Sequence, residues 1–285
     1  MNENIFEVKD LHYKYSDKTY ALKGISLKIR KGSTTAILGA NGAGKSTLFL
    51  NMNGILRPTE GQLLLNGKPV DYSRKGLMEL RKAIGLVFQD PDRQLFSASV
   101  YQDVSFGPVN LKLPEEEVRK RVNNALKRTG TMELKDKPTH SLSFGQKKRA
   151  AIAGILAMEP ELLVLDEPTA GLDPMGVSEI LKLIDETREQ LGLSVVIATH
   201  DIDIVPLYCD YVYVLEKGQL VMEGTTEEVF ARAEVLRSVG LRLPRIGHLM
   251  EILMKKDGFK LDSMAMTISE ARRVLKAWKE ANDTR

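Results

Sequence analysis

The sequence has little of what marks secreted, membrane-spanning or nucleic-acid-binding proteins. It contains one cysteine, Cys209, so no disulfide can form within the chain, which is typical of a reducing compartment. No stretch approaches the ~18 apolar residues of a membrane-spanning helix, and the opening MNENIFEVKD lacks the apolar segment of a signal peptide. The formal net charge is only +3, and the basic residues are scattered. We therefore expect a soluble cytosolic protein without a nucleic-acid partner.

What the sequence does contain is the alternation of strands and helices of an α/β protein. TTAIL, LLVL and LSVVIA are continuously apolar, as are parallel strands covered on both faces. NIFEVKDLHYKY and LKGISLKI alternate apolar and polar residues, which indicates strands with one exposed face. RPTEGQLLLNGKPV predicts a hairpin that turns at Asn66-Gly67. Residues 114–158 are mostly helical and polar, and a helical tail begins near Thr226.

A glycine-rich segment, GANGAGKS, fits the pattern G-x-x-x-x-G-K-[ST] and lies between a predicted strand and a predicted helix. Its glycines allow successive backbone N–H groups to face a phosphate, next to the positive end of the helix. Lys45 is expected to reach the β- and γ-phosphates, and the Ser46 hydroxyl to bind Mg²⁺. The expected nucleotide contacts are Gly39, Asn41, Gly42, Ala43, Gly44, Lys45, Ser46 and Thr47.

Two carboxylates and a histidine follow two of the apolar strands. Asp166 and Glu167 come directly after LLVL, at the end of a strand where open α/β sheets bind ligands. Asp166 is expected to hold Mg²⁺ through its water shell, and Glu167 to polarise the attacking water as a general base. His200 ends VVIATH and would contact the γ-phosphate. An Asp-Glu pair is commonly a solvated loop and a lone histidine is commonly structural, but the phosphate loop upstream favours the functional interpretation.

A third segment, LSFGQ, opens another predicted helix. Ser143 and Gly145 could form an anion site at the helix N-terminus, or the serine could simply cap the helix. The ordered set of phosphate loop, Gln89, LSFGQ, LLVLDEP, AGLD and a histidine resembles the ATP-binding-cassette (ABC) ATPases over residues 5–230. Phe144 departs from the family pattern, in which glycine is frequent at this position.

The resemblance implies a fold and a division of the chain. We expect an α/β P-loop NTPase with a RecA-like core, an antiparallel β subdomain and a helical subdomain at about residues 90–160. The nucleotide-binding domain would span residues 1–230. A small helical extension would span residues 231–285 and contribute to a dimer contact.

The resemblance also implies a head-to-tail dimer with two shared sites. In such ATPases the LSFGQ-type segment of one protomer caps the γ-phosphate held by the partner's glycine loop. Ser143, Gly145 and Gln146 would therefore serve the partner's ATP. Asp173, in AGLD, would lie between the two sites.

Two further roles come from the resemblance alone. Tyr15 matches the aromatic residue that stacks on adenine, with Tyr13 and Tyr20 as nearby competitors. Gln89 would contact the metal or the attacking water and report the nucleotide state to a partner.

The class of ABC ATPase is narrowed by what lies between these motifs. DNA-acting members carry a long coiled coil between phosphate loop and signature, whereas no sustained heptads occur here, and ribosome-acting members usually carry two cassettes. The segment QDPDRQLFSASVYQDVSFGP resembles energy-coupling-factor (ECF) transporter ATPases. There, Asp92 and Gln94 are expected to cap or brace a short helix, and Leu95 and Phe96 to offer an apolar patch to a partner helix.

The segment THDIDIVPLYCDYVYVLEKGQLVMEGTTEEVF is most similar to the cobalt-type ATPase, and close relatives that power vitamin uptake remain an alternative. The resemblance thus implies an ATP- and Mg²⁺-dependent motor of a cobalt or nickel importer at the cytoplasmic face of the cell membrane. Its partners would be a second ATPase chain, identical or paralogous, a transmembrane coupling protein and a substrate-binding membrane subunit.

Overall fold

The chain folds around two β-sheets of different type. The computed structural model describes residues 3–283. The strands are β1 (Asn4–Lys14), β2 (Tyr20–Arg30), β3 (Thr34–Leu38), β4 (Glu60–Leu65), β5 (Lys68–Pro69), β6 (Ile84–Val87), β7 (Leu162–Asp166), β8 (Ser194–Ala198), β9 (Tyr211–Glu216) and β10 (Gln219–Thr225). The antiparallel sheet has the order β2-β1-β4-β5, and the larger sheet has the order β10-β9-β3-β8-β7-β6.

The helices cover the sheets and form a separate layer between β6 and β7. They are α1 (Lys45–Met52), α2 (Arg74–Ala83), α3 (Val100–Asn110), α4 (Glu115–Arg128), α5 (Phe144–Leu156), α6 (Pro174–Leu191), α7 (Val205–Tyr208), α8 (Thr226–Phe230), α9 (Ala233–Ser238), α10 (Arg245–Lys255) and α11 (Ile268–Asp283). Within residues 3–283, no helix is both long enough and apolar enough to cross a membrane.

The larger sheet is parallel except for its hairpin edge. β3 pairs in parallel with β8 and β9, and β7 pairs in parallel with β6 and β8. Every residue of β3, β7 and β8 is buried, which confirms the interpretation of the continuous apolar runs as doubly covered strands. Because these strands run the same way, their carboxyl ends meet at one edge.

The antiparallel sheet packs on the phosphate-loop helix. Phe6, Leu11 and Ile25 from its inner face share a hydrophobic cluster with Leu48 and Phe49 of α1. The predicted hairpin is confirmed, because β4 and β5 pair and the two residues between them, Asn66 and Gly67, both have positive φ. The antiparallel β subdomain thus supports α1 from the side opposite the parallel sheet.

Helices α3, α4 and α5 pack on one another and form the helical subdomain. Val104, Val122, Leu126 and Ile152 share a core that continues into β7 and β8. This continuity fixes the start of α5, where LSFGQ lies, relative to the end of β7, where the carboxylates lie.

The short helix before α3 is capped by Asp90, and the two residues predicted to cap or brace it both act as braces. A single 3₁₀ turn spans Pro91–Arg93, and its cap is Asp90, whose carboxylate accepts from the N–H of Asp92 at 3.0 Å. Asp92 braces the turn, because its carboxylate accepts from Lys147 Nζ of α5 at 2.6 Å, so the prediction that it would cap or brace this helix is confirmed. Gln94 as brace is confirmed.

The brace is made by both ends of the Gln94 amide. Its Oε1 accepts from the N–H of Phe88 at 3.1 Å, and its Nε2 donates to the carbonyl of Ala151 at 3.2 Å. The turn after β6 is thereby fastened to α5.

The C-terminal helices form two layers. Val229, Phe230 and Leu236, from α8 and α9, pack into a cluster with the core of the larger sheet. Helices α10 and α11 enclose a smaller cluster of their own, which includes Met250 and Trp278. Met250 and Met254 of α10, and Met264 and Met266 of the segment before α11, pack in these clusters.

Candidate functional site

Four strands of the larger sheet end at one edge, and a predicted site residue follows or ends each of them. Gly39 follows β3, Gln89 lies just beyond β6, Asp166 ends β7 and His200 lies just beyond β8. Parallel α/β sheets bind ligands at this edge because the loops there can converge on one point. The structure brings these sequence-distant segments around a single cleft.

Glycine is required at two positions of the phosphate loop. Gly39 has φ 154°, and a Cβ there would lie 2.4 Å from the carbonyl oxygen of Leu215. Gly44 has φ 107°, and a Cβ there would lie 2.8 Å from the carbonyl oxygen of Ala21. The loop therefore packs directly on neighbouring backbone, and side chains would push it out of its curled conformation.

Lys45, the first residue of α1, is buried inside the loop. Its Nζ donates to the carbonyl of Gly39 at 2.6 Å and to that of Ala40 at 3.2 Å. Burial lowers the pKa of Lys45, against the opposing effect of the nearby Glu167 and Asp166 carboxylates. The ammonium is held at the centre of the loop, where an anion would meet it.

Ser46 and Asp166 meet at the next position of the cleft. The Ser46 hydroxyl donates to Asp166 Oδ2 at 2.7 Å, and the carboxylate is buried. A hydroxyl and a carboxylate oxygen in contact are the hard oxygen donors that suit Mg²⁺. The residues present thus fit the predicted metal, although they are 120 positions apart in sequence.

Glu167 and His200 form a hydrogen-bonded pair at the mouth of the cleft. Glu167 Oε2 lies 2.7 Å from His200 Nδ1 and also accepts from the His200 N–H at 3.2 Å. The glutamate side chain is buried, whereas the histidine side chain is exposed. Glu167 adopts φ 49°, a left-handed conformation that is unusual for a residue with a side chain.

The cleft continues from these groups towards the aromatic residues of the first strands. A cavity of about 520 Å³ is lined by residues that include Tyr15, Tyr20, Lys45 and Gln89. The Tyr15 hydroxyl lies 3.0 Å from Thr47 Oγ1, which anchors the ring beside α1.

The three tyrosines are thereby separated. Tyr15 and Tyr20 line the cavity, whereas Tyr13 packs against the hydrophobic core and meets the Tyr15 ring edge-on. Among Tyr13, Tyr15 and Tyr20, only the last two can meet a base in this cleft.

The LSFGQ residues lie outside this cleft. Ser143 caps α5 by accepting from the N–H of Gln146 at 3.4 Å, while Gln146 Oε1 accepts from the N–H of Ser143 at 3.0 Å. Asp173 similarly caps α6 by accepting from Gly176 at 2.7 Å. Neither helix start lines the cavity that holds the phosphate loop.

Two charged residues near the site were missed by the reasoning from sequence. Lys148 is fully buried, donates to the carbonyl of Glu167 at 2.8 Å and has its pKa lowered to about 8, chiefly by burial. Arg242 lines a second cavity with Gln89, Glu167 and His200. The pair of adjacent lysines after LSFGQ could have drawn attention to Lys148. No local sequence pattern marks Arg242.

The comparisons with known proteins agree with this geometry. The family model described as ABC transporter matches residues 22–170. The energy-coupling factor transporter ATP-binding protein EcfA3 of Clostridium perfringens is 66% identical over 98% of both chains. The energy-coupling factor transporter ATP-binding protein EcfA of Methanocaldococcus jannaschii is 56% identical over 94% of this chain and 96% of that protein.

Solved structures show the same relationship. The structure of cbiO1 from Clostridium perfringens, described as part of the ABC transporter complex cbiONQ, is 68% identical with a TM-score of 0.76 and covers 88% of this chain and 100% of that chain. A dimeric ATP-binding cassette bound to ADP and Pi is 29% identical with a TM-score of 0.69, over 77% of this chain and 98% of that one. The chain therefore belongs to the ABC transporter family, and it is an ATPase of the energy-coupling-factor class.

Proposed function

We propose that two ATPase chains of this kind bind two ATP molecules between them and power a membrane importer for cobalt or nickel ions. The observation that supports this proposal is the convergence of Lys45, the Ser46–Asp166 pair and the Glu167–His200 pair at one sheet edge. Phosphate binding, metal binding and a general base are thereby united in one cleft, which is the set that hydrolysis of ATP requires.

Each side chain has a distinct role in this proposal. Ser46 and Asp166, with Gln89 nearby, would hold Mg²⁺, which when bound neutralises charge on the phosphate oxygens. Lys45 exchanges its two loop carbonyls for phosphate oxygens. Glu167 takes the proton of the attacking water, since its carboxylate is buried and faces the cleft.

His200 changes partner during this reaction. Its ring nitrogen now bonds to Glu167, and rotation of the exposed ring brings it to the γ-phosphate, which frees the carboxylate to accept a proton.

The position of LSFGQ supports shared sites. Ser143, Gly145 and Gln146 form the first turn of α5 but do not line the cleft of their own chain. An exposed helix start is a suitable anion site for the partner's γ-phosphate. Asp173, exposed at the start of α6, would lie at the same seam, and a solved relative is described as a dimer bound to ADP and Pi.

Two substitutions separate hydrolysis from site sharing. Glu167→Gln should retain ATP binding but accumulate a closed, ATP-bound dimer, because the amide cannot accept the water proton. Ser143→Arg should abolish turnover while the isolated chain still binds ATP. ATP turnover at the wild-type rate in Glu167→Gln would refute the general base, and normal turnover in Ser143→Arg would refute the shared site.

The surface for the membrane partner would lie on the helical subdomain. Phe96 is 66% exposed and meets Phe106 of α3 edge-on, with ring centroids 4.8 Å apart. Val109 of the same helix is also exposed. Leu95 turns inward onto the helical core, so the predicted patch uses Phe96 without Leu95. Since Gln94 and Asp103 anchor this segment, we propose that it transmits closure to a transmembrane coupling protein.

The proposed metal importer and the alternative vitamin transporter differ in the substance that is transported. One solved relative is described as part of a cbiONQ complex, and the cobalt-like segment from Thr199 to Phe230 agrees with this assignment. Cells whose chromosomal copy carries Glu167→Gln should lose uptake of labelled cobalt or nickel and retain vitamin uptake. Loss of several vitamins with metal uptake intact would replace the metal importer by a shared vitamin motor, and the ATPase mechanism would stand.

A further inference from the structure

A fully buried lysine lies directly behind the proposed general base. Lys148 of α5 has a relative accessibility of 0%, and its Nζ donates to the main-chain carbonyl of Glu167 at 2.8 Å. The Phe144 ring also lies near the ammonium, with its centroid 5.6 Å from Nζ. Burying an ammonium costs several kcal/mol, and a methionine would fill the same space without that cost. The charge therefore calls for a function other than packing.

That function is suggested by the backbone of Glu167. A left-handed conformation costs a residue with a side chain about 1–3 kcal/mol, so its surroundings must hold it there. The N–H of Glu167 donates to the carbonyl of Ala198 at 2.9 Å. Its carbonyl accepts from Lys148 and from the N–H of Ala170 at 3.2 Å. Both amide groups are thus fixed, and the side chain is aimed at His200.

Lys148 also connects two segments that would serve different ATP sites: the helix that begins at LSFGQ and the segment that carries Glu167. It lies five positions after Ser143, on the helix whose first turn would face the partner's ATP. Phe144, in that same first turn, packs against Gly171 so closely that a Cβ there would lie 2.8 Å from its ring. Phe144 and Lys148 thus connect this helix start with the segment that carries Glu167.

We propose that Lys148 is a positioning residue for Glu167, and that it makes the base of one ATP site depend on the helix that serves the other site. This inference rests on the proposed function, because it takes Glu167 as the general base. Because the Lys148 side chain is fully buried, it can reach neither ATP nor the attacking water directly. Its contribution is to hold the glutamate backbone, so its loss should lower the rate of hydrolysis and leave nucleotide binding unchanged.

The test compares four variants of the full chain for ATP turnover, ATP affinity and melting temperature. Lys148→Met keeps the size and removes the donor, so kcat should fall about 100-fold while affinity for ATP stays within about twofold. Lys148→Gln keeps a shorter, neutral donor to the carbonyl, so kcat should fall only about 10-fold. Lys147→Met is the matched control, since Lys147 lies on the same helix and its ammonium binds Asp92 and not Glu167. Glu167→Gln tests the general base itself.

The outcomes separate the inference from the proposed function. Folded Lys148→Met with turnover within about threefold of wild type overturns the role of Lys148. Equal losses in the Met and Gln variants overturn it too, because the carbonyl bond would not matter. If the Met variant does not fold, the Gln variant decides: reduced kcat with unchanged affinity supports the inference, and wild-type kcat overturns it. Turnover by Glu167→Gln at the wild-type rate instead refutes the proposed function, whatever the lysine variants do.

Discussion

The fastening of α9 to α10 leads to a quantitative prediction about stability. Glu251 of α10 has a side chain only 10% exposed and receives both Arg237 of α9 and Lys255 of its own helix. Its Oε1 accepts from Arg237 at 3.2 Å and from Lys255 at 3.0 Å. Glu251→Gln removes the charge and leaves the guanidinium without its carboxylate. The C-terminal helices should therefore lose stability.

The magnitude follows from the pKa of Glu251. The guanidinium of Arg237, and then Lys255, hold this pKa at about 2 instead of 4.5. At about 1.4 kcal/mol per pKa unit, the difference of about 2.5 gives an upper limit of about 3.5 kcal/mol. The Arg237 and Lys255 side chains are 43% and 65% exposed, so water screens them, and we expect about 1–2 kcal/mol.

The pH dependence has a definite sign. A carboxyl group whose pKa is lowered by folding stabilises the folded state above its unfolded pKa. The contribution of Glu251 is therefore complete above about pH 5 and is lost as the pH falls from 4.5 towards 2. The deficit of Glu251→Gln should shrink over the same interval.

The assay is urea denaturation followed by tryptophan fluorescence. Trp278 is the only tryptophan in the sequence, and its ring lies 4.6 Å from that of Phe259 in the α10–α11 cluster. Glu186→Gln is the matched control, since its pair with Lys182 is exposed and should be worth less than about 0.5 kcal/mol. A deficit no larger than that of the control, or one unchanged between pH 5 and pH 3, would refute the reasoning.

Three further predictions concern the nucleotide loop, the C-terminal contact and the partner surface. Gly39→Ala should abolish ATP binding and lower the free energy of unfolding by about 2 kcal/mol or more, because the new Cβ would lie 2.4 Å from the carbonyl oxygen of Leu215. Calorimetry with ATP measures the loss of binding, and urea denaturation measures the loss of stability. Asp203→Asn should increase amide hydrogen exchange of residues 241–246 about 5-fold or more, since the carboxylate binds Arg242 at 2.8 Å and the N–H of Arg245 at 2.6 Å; unchanged exchange would count against this contact. Phe96→Asp should abolish cargo uptake in cells while ATP turnover of the purified chain stays within about twofold of wild type, and retained uptake would exclude this residue from the partner surface.

Local sequence patterns explain why the phosphate loop and the residues at the ends of the parallel strands could be predicted. The phosphate loop requires glycines, a lysine and a serine at fixed spacing, and each buried strand can be predicted from its own continuous run of apolar residues. Parallel strands then force Gln89, Asp166 and His200 to one edge, so their meeting followed from the strand assignments. The bounds of the elements and the cap at Asp90 were harder to predict. Asp90 and Asp92 offer the same carboxylate group to the same turn, so the sequence alone does not identify which of them caps it.

The sequence by itself therefore determined the family, the α/β fold and the candidate site residues, because these are encoded in contiguous motifs. Only the tertiary structure decided which apolar residue of the Leu95–Phe96 pair faces outward and which tyrosines line the cleft. It alone also placed Lys148 behind Glu167, 19 positions away, and Asp203 beside Arg242, 39 positions away. Such contacts depend on how helices pack against sheets, and no periodicity within a short segment records the direction in which a single long side chain must reach.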